Sequence, residues 1–321
     1  MSLTVVLAFV AAALLAVNMG ASGVAPSFAS VLGAEMASRK RILLAYGACV
    51  VAGAVLLGGR VTNTLGTSIA PREAFTPEVT VAVLVSIGLA LLLANLLKIP
   101  QSTSWVTVLA VVVVGAHRGT LNLHTLYARL LPAWVLLPLA GYALTYAAMR
   151  ALYPLRASNI ALHERLKRNR GALRVLAIGG GCYVAVANGS NNVANIVGPL
   201  SASGLVSASL GLLLVAPIFG VGAALVRGPA DTMGKGIVPF GPVTAALTSV
   251  VVGSLLLFAS SQGIPQSLVQ LQAACVLAVS RVKEGSFELM PQTELGKVLG
   301  VWLGAPLVAA LSTWAALELL R

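Results

Sequence analysis

Ten apolar stretches of roughly helical length limit what this chain can fold into. They cover residues 3–17, 42–58, 79–97, 101–116 and 126–149, and then 174–187, 205–226, 242–259, 265–280 and 298–320. Hydrophobic residues make up 58% of the 321 residues and charged residues only 9%, whereas soluble domains carry about 25% charged residues. Because about 20 apolar residues span a bilayer as a helix, the sequence predicts an all-α polytopic membrane protein in a lipid bilayer. The stretches at 101–116 and 265–280 are short for a crossing, which favours broken or re-entrant helices there.

The positive charge of the chain is concentrated near one place. The net charge is +12, and seven of the 21 Lys and Arg residues lie between Arg150 and Arg174. Short cytoplasmic loops of membrane proteins are rich in Lys and Arg, so residues 150–173 are predicted to form a basic cytoplasmic loop, with no role in nucleic-acid binding. The basic cluster at residues 39–41 is expected on the same side. The protein is expected in the cell (inner) membrane, and both chain termini are then expected on the outer side of it.

Three short motifs recur in the same order in both halves. Residues 18–27 read NMGASGVAPS and residues 188–196 read NGSNNVANI, about 169 residues further on. The tetrapeptide IPQS occurs at 99–102 and again at 264–267, and the segment after Arg60 resembles the one after Arg227. We therefore predict two repeats, 1–149 and 174–321. Five crossings in each half would give the second repeat the inverted topology.

The first pair of motifs interrupts apolar runs with Gly, Ser and Asn, which predicts broken helices at 18–27 and 188–196. Backbone N–H groups freed by a break suit an anion, and paired interruptions point to the binding site of a transporter. The candidate ligands are Ser22, Gly23, Asn191, Asn192 and Asn195. The alternative is that small residues only allow tight helix packing.

The IPQS motifs predict a second set of substrate-binding residues. Proline suits the first turn of a helix, so the polar residues after it lie at a helix start. The candidates are Gln101, Ser102, Thr103, Gln266 and Ser267. The alternative is an ordinary N-cap at the membrane surface.

Ionisable residues near the apolar stretches are few. Asp231, Glu35 and His117 are the candidates for proton coupling, because charge at membrane depth is costly and usually functional. Asp231 could instead lie at the interface, Glu35 could pair with Arg39, and His117 is expected to anchor the interface more than to carry protons.

Enzyme chemistry has no support in the sequence. Paired carboxylates, a Ser/His/Asp set, an HExxH motif and a phosphate-binding loop are all lacking in a plausible setting. The three cysteines lie singly in apolar stretches, so they predict packing and no metal site. No cofactor is expected.

The motifs resemble those of the inorganic phosphate transporter (PiT) family. The signature of that family is Gly-Ala-Asn-Asp-Val-Ala-Asn in each half, with Gly-Pro-Leu after the second copy. Here residues 189–195 read GSNNVAN, residues 198–200 read GPL, and the looser first copy at 20–26 reads GASGVAP. The resemblance spans both halves. It implies a secondary transporter for a tetrahedral oxyanion, with the site between the repeats and often a homodimer.

Two departures from the signature bear on substrate and coupling ion. The Asp of the family is Gly23 in one half and Asn192 in the other. Losing both carboxylates removes the charged ligands that sodium prefers, so proton coupling is expected over sodium coupling. Sulfate only accepts hydrogen bonds at neutral pH, whereas phosphate keeps a proton that a carboxylate can accept. These departures fit the sulfate-permease branch, and we predict sulfate import by proton symport with alternating access.

Other functions stay open at this point. A phosphate transporter coupled to sodium or protons is the alternative within the family. A membrane scaffold or receptor that moves nothing is the alternative of another class.

Overall fold

The computed structural model describes residues 2–33, 36–97, 99, 101–154, 160–161, 164, 168–225, 241–283 and 292–321. All regular structure within these ranges is helical. The helices of the first half are α1 (Leu3–Gly33), α2 (Arg39–Leu57), α3 (Gly59–Asn63), α4 (Pro77–Leu96), α5 (Thr103–His117) and α6 (Leu131–Leu152). Those of the second half are α7 (Arg170–Asn192), α8 (Ala194–Ala202), α9 (Ala208–Leu225), α10 (Pro242–Ser261), α11 (Leu268–Lys283) and α12 (Gln292–Leu319). Short π-helical turns cover Thr64–Ser68 and Thr125–Leu130.

Eight helical segments in the described ranges are long and apolar enough to cross a membrane. Their outward faces carry large apolar side chains, such as Leu56, Leu136 and Leu311, each more than 60% exposed. Asn188, Asn191 and other polar side chains are buried inside. Apolar residues outside and polar residues inside are typical of a protein whose surroundings are lipid, so the predicted all-α polytopic membrane protein is confirmed.

The predicted break at 18–27 is wrong. Helix α1 runs without interruption through this segment, and Pro26 lies inside it. The second segment is also helical apart from Val193, whose φ of −63° and ψ of −32° are themselves helical. Ser22 and Ser27 donate to carbonyls of their own helix, those of Met19 and Gly23. The small residues here allow close helix crossings, which is the packing alternative.

Helices of the two halves cross each other in matching pairs. Helix α1 packs against α9 and α7 against α2, while α5 packs against α12 and α11 against α6. At the α1–α9 and α2–α7 crossings, four glycines lie against a carbonyl of the other half: Gly20 at Phe219, Gly222 at Val17, Gly189 at Val50 and Gly53 at Val186. A Cβ at any of these glycines would lie 1.8–2.3 Å from the carbonyl oxygen. Such matching is what two similar halves produce. The inverted orientation stays a prediction.

Helices α5 and α11 have 15 and 16 residues. At about 1.5 Å per residue they are about 22–24 Å long, short of a bilayer core of about 30 Å. Each follows a longer helix after a short connection that contains an IPQS motif. The connection after α4 is 97–102, of which 98 and 100 lie outside the described residues, and the one after α10 is 262–267. We call these the first and the second IPQS turn. The breaks in the helical backbone therefore lie at these turns.

Candidate functional site

The two IPQS turns start helices in the same way. The hydroxyl of Ser102 accepts a hydrogen bond from the backbone N–H of Trp105, and that of Ser267 accepts one from Gln270, each at 3.2 Å. Both serines are buried. These are N-caps, and each one presents the positive end of a helix dipole inside the protein. For the hydroxyls of Ser102 and Ser267 the N-cap alternative is therefore correct. The caps, however, are buried inside the helix bundle.

Ser104 brings the two IPQS turns together. Its hydroxyl lies 3.1 Å from the carbonyl oxygen of Gln266, 162 residues away, and 3.4 Å from Oδ1 of Asn192. Asn195 donates from Nδ2 to the hydroxyls of Thr103 at 3.3 Å and Ser104 at 3.4 Å. Candidate residues from both halves thus meet in one buried polar cluster, formed by Thr103, Ser104, Asn191, Asn192, Asn195 and Gln266.

Asn191 holds the second IPQS turn. Its Nδ2 donates to the Ser260 hydroxyl at 3.0 Å and to the Ile264 carbonyl at 2.9 Å. Its Oδ1 accepts from the backbone N–H of Gln266 at 2.9 Å. Asn191 is fully buried, and its side-chain amide acts as both donor and acceptor in these bonds. We therefore infer that Asn191 positions the turn.

Side chains of the first half also hold the second IPQS turn. Arg60 and Arg129 donate to the consecutive carbonyls of Ser261 and Gln262. Trp134 donates from Nε1 to the Pro265 carbonyl at 2.8 Å. The turn is therefore fixed at both ends and by both halves of the molecule.

The side-chain amides of Gln101 and Gln266 are buried and make no hydrogen bond with any described residue. The side chains are 8% and 0% exposed, and neither the amide nitrogen nor the oxygen has a hydrogen-bond partner in the described part of the chain. Oδ1 of Asn195 is unpartnered in the same way. Buried polar groups in proteins are rarely left unpaired, so each of these atoms is available to a ligand.

No Asp or Glu among the described residues makes a hydrogen bond within the cluster. The sequence contains no Asp or Glu between Glu78 and Glu164, or between Glu164 and Asp231. The described residues that form the cluster therefore offer only amides, hydroxyls and backbone groups. Such a set stabilises an anion through hydrogen bonds and lacks the charge that holds a cation.

The two candidates in α1, Ser22 and Gly23, differ in their connection to the cluster. Ser22 bonds within its own helix at 2.9 Å from the Met19 carbonyl, and within the described ranges no hydrogen bond joins it to the cluster. Gly23 lies beside Tyr46 and Asn188. Asn188 in turn accepts from Nδ2 of Asn192, so position 23 reaches the cluster through these side chains.

Of the candidates for proton coupling, the structure describes His117, and no hydrogen bond among the described residues joins it to the cluster. Nε2 of His117 is 3.2 Å from a carboxylate oxygen of Glu318, and the imidazole is 2% exposed. The ring of Trp314 lies edge-on at 5.2 Å. His117 thus joins the end of α5 to the end of α12, in agreement with an anchoring role. Asp231 and Glu35 lie outside the described residues.

The candidate residues chosen from the sequence leave out four side chains that bind the cluster together. Ser104, Ser260, Asn188 and Tyr46 each make a hydrogen bond between helices. Ser104 directly follows the predicted Thr103, so its position was a usable signal. Tyr46 has no motif around it, and only the fold brings it to Asn188.

Comparison with known proteins assigns the family. The model of the phosphate transporter family matches residues 19–313. The chain belongs to the phosphate transporter family. The sulfate permease CysP of Bacillus subtilis (strain 168) is 32% identical over 298 residues, which cover 92% of this chain and 82% of that relative. As a member of this family, the chain is a transport protein and not an enzyme.

The fold of this family member agrees with that of a solved transporter. A structure described as the sodium-dependent phosphate transporter matches with a TM-score of 0.85 over 99% of both chains, at 19% sequence identity. The likeness in fold extends over both halves of the chain. Because the family model matches and eight described helices could span a membrane, the predicted multi-pass membrane transporter of this family is confirmed.

Proposed function

We propose that this chain is a secondary active transporter that imports sulfate by proton symport with alternating access. The polar cluster between the IPQS turns, which lacks carboxylates, is the observation that carries the proposal. Two helix N-termini, the amides of Gln101 and Gln266, and the hydroxyl of Thr103 supply donors to a tetrahedral dianion. Ser102 and Ser267 cap these helix ends and so position the donors.

The absence of an acceptor carboxylate favours sulfate over phosphate. Phosphate at neutral pH carries at least one O–H, which is best met by an ionised acceptor. Asn192 offers a neutral amide in its place, and Gly23 offers no side chain. The relative named a sulfate permease supports the same substrate. Phosphate is the second candidate, because both the family and the solved structure are named for it.

Alternating access fits the way the halves meet. The repeats 1–149 and 174–321, which we take to be related by inverted topology, cross at matching glycine contacts. The second IPQS turn is held by side chains of the first half. A rocking movement of one half against the other would open the cluster to each side of the membrane in turn. The basic loop lies in the cytoplasm and the termini outside, and two copies form a homodimer in this proposal.

Proton coupling rests on His117 among the described residues. The Glu318 carboxylate is in reach of its imidazole, so protonation would convert a hydrogen bond into an ion pair between α5 and α12. Asp231 and Glu35 remain candidates by sequence alone. Sodium is less expected because the cluster lacks the charged oxygen ligands that a hard cation prefers.

Uptake of ³⁵S-sulfate into proteoliposomes tests the proposal. We expect uptake to be driven by an inwardly directed proton gradient, to be indifferent to sodium, and to be inhibited more by cold sulfate than by cold phosphate. Full competition by phosphate with weak competition by sulfate contradicts the substrate, and a requirement for external sodium contradicts the coupling. Liposomes that take up neither anion would support a scaffold or receptor.

A further inference from the structure

Tyr46, Gly23 and Asn188 meet at one buried point where three helices cross. Tyr46 is on α2, Gly23 on α1 and Asn188 on α7, and the tyrosine and the asparagine are fully buried. Nδ2 of Asn188 donates to the Tyr46 hydroxyl at 2.9 Å. A Cβ at position 23 would lie 2.1 Å from the hydroxyl oxygen of Tyr46 and 2.5 Å from Nδ2 of Asn188. The phenol therefore occupies the space that a side chain at position 23 would need.

Hydrogen bonds connect this point to the polar cluster in one direction. Ser104 donates to Oδ1 of Asn192, Nδ2 of Asn192 donates to Oδ1 of Asn188, and Asn188 donates to Tyr46. Asn192 and Asn188 each accept through Oδ1 and donate to the next side chain through Nδ2, whereas the single hydroxyl hydrogen of Ser104 is shared between Asn192 and the Gln266 carbonyl. The direction is fixed at its end, because the Tyr46 oxygen accepts the hydrogen of Asn188.

The last hydrogen of this chain of bonds is unused. Within the described residues, no acceptor receives the hydrogen of the Tyr46 hydroxyl. A buried donor without an acceptor costs free energy relative to water, so this hydrogen is available to a ligand or to a water molecule. The free group at this end is a donor and carries no charge.

We propose that Tyr46 is a specificity-determining residue of the anion site. It keeps position 23 free of any side chain, a carboxylate included, and it presents a neutral donor where an acceptor would favour a protonated oxyanion. An oxyanion that only accepts hydrogen bonds, such as sulfate, matches this donor, whereas the O–H of hydrogen phosphate has no acceptor here. The proposal rests on the proposed function and explains its selectivity.

Tyr46→Phe tests the proposal, with Tyr142→Phe as the matched control. Tyr142 lies on α6 and stacks on Tyr146, and no hydrogen bond among the described residues joins it to the cluster. The measurements are the apparent Km for ³⁵S-sulfate in proteoliposomes and the inhibition constant of phosphate. For Tyr46→Phe we expect the Km for sulfate to rise about tenfold and the preference for sulfate over phosphate to fall about fivefold. The control should leave both unchanged.

The preference for sulfate over phosphate distinguishes a role of Tyr46 in specificity from a purely structural role. If Tyr46→Phe weakens both anions equally, or neither, the inference is wrong although sulfate transport stands. If wild-type liposomes take up no sulfate at all, the proposed function fails instead.

A second pair of variants keeps the test decisive if Tyr46→Phe is unstable. Gly23→Ala should impair uptake strongly, because its Cβ would lie 2.1 Å from the phenol oxygen. Adding Tyr46→Phe removes that oxygen, so the double variant should recover part of the uptake and still discriminate poorly against phosphate. Additive losses in the double variant would contradict a shared space for the two side chains.

Discussion

The two signature segments have similar sequences and different roles. In α1, residues 18–27 form an intact helix whose small side chains permit close contact, as Gly20 does against the Phe219 carbonyl. In α7 and α8, Gly189 makes the matching contact against Val50. In addition, Asn191 binds the second IPQS turn, and Asn192 and Asn195 bind side chains in the first turn of α5. The glycines thus have a shared structural role, whereas only the second segment contributes side chains to the polar cluster. Two similar segments can therefore share a packing role while one of them alone supplies the amides of a candidate binding site.

The shared packing role predicts the largest effects. Gly20→Ala and Gly189→Ala should each destabilise the protein by roughly 3 kcal/mol or more, because the new methyl groups would lie 1.8 and 2.1 Å from a carbonyl oxygen. Thermal melting of the purified protein measures this. Gly179→Ala is the control, because a Cβ there would have no neighbour within 4 Å. Equal melting temperatures for all three variants would contradict the packing role.

The difference between the segments predicts a contrast of Asn191→Ala with Ser22→Ala. The first change leaves the Ile264 carbonyl and the Gln266 N–H without this partner and removes one of the hydrogen bonds of Ser260. It should cost about 2 kcal/mol and abolish most sulfate uptake. Ser22→Ala removes only a bond within its own helix and should be close to wild type in both assays. A comparable loss of uptake in both would show that Ser22 belongs to the site after all.

A negative charge at position 192 further tests the difference between the two signature segments. Asn192→Asp brings a carboxylate beside a dianion, so the affinity for sulfate should fall about tenfold, which is about 1.4 kcal/mol. Asn63→Asp adds the same charge at an exposed position and serves as the control. Isothermal titration with sulfate measures both. Sulfate affinity that is equal or better in Asn192→Asp would place residue 192 away from the anion.

The IPQS turns, which are alike in both halves, predict the smallest and most equal effects. Ser102→Ala and Ser267→Ala each remove one N-cap bond, worth about 1 kcal/mol. Each should raise the apparent Km for sulfate a few-fold with little effect on the amount of protein made. If only one of them changes the Km, the two helix starts are not equivalent at the site.

The sequence predicted the helices well because apolar length is a local property. The predicted stretch at 42–58 is α2 at Arg39–Leu57, and 242–259 is α10 at Pro242–Ser261. The break at 18–27 was predicted wrongly because Gly and Ser suit both a broken helix and a close crossing. The choice depends on a carbonyl about 200 residues away, that of Phe219, which no local pattern contains.

The candidate site was predictable only in part, because a local motif can indicate polar residues but cannot indicate which distant residues they contact. The repeated IPQS motif identified Gln101 and Gln266, whose buried amides are unpartnered in the described chain. The role of Asn191 as a support of the second turn, and the contact of Tyr46 with Asn188, arise only when helices of both halves pack. Pairing between distant segments sets these roles.

The thermal stability of the purified protein in the presence of different anions tests the central claim most directly. A ligand that binds the folded state raises the melting temperature according to its affinity. We expect sulfate to raise the melting temperature, phosphate at the same concentration and ionic strength to raise it less, and the sulfate shift to shrink in Asn192→Asp. A larger shift with phosphate, or the same sulfate shift in wild type and Asn192→Asp, would contradict a neutral cluster that selects an acceptor-only dianion.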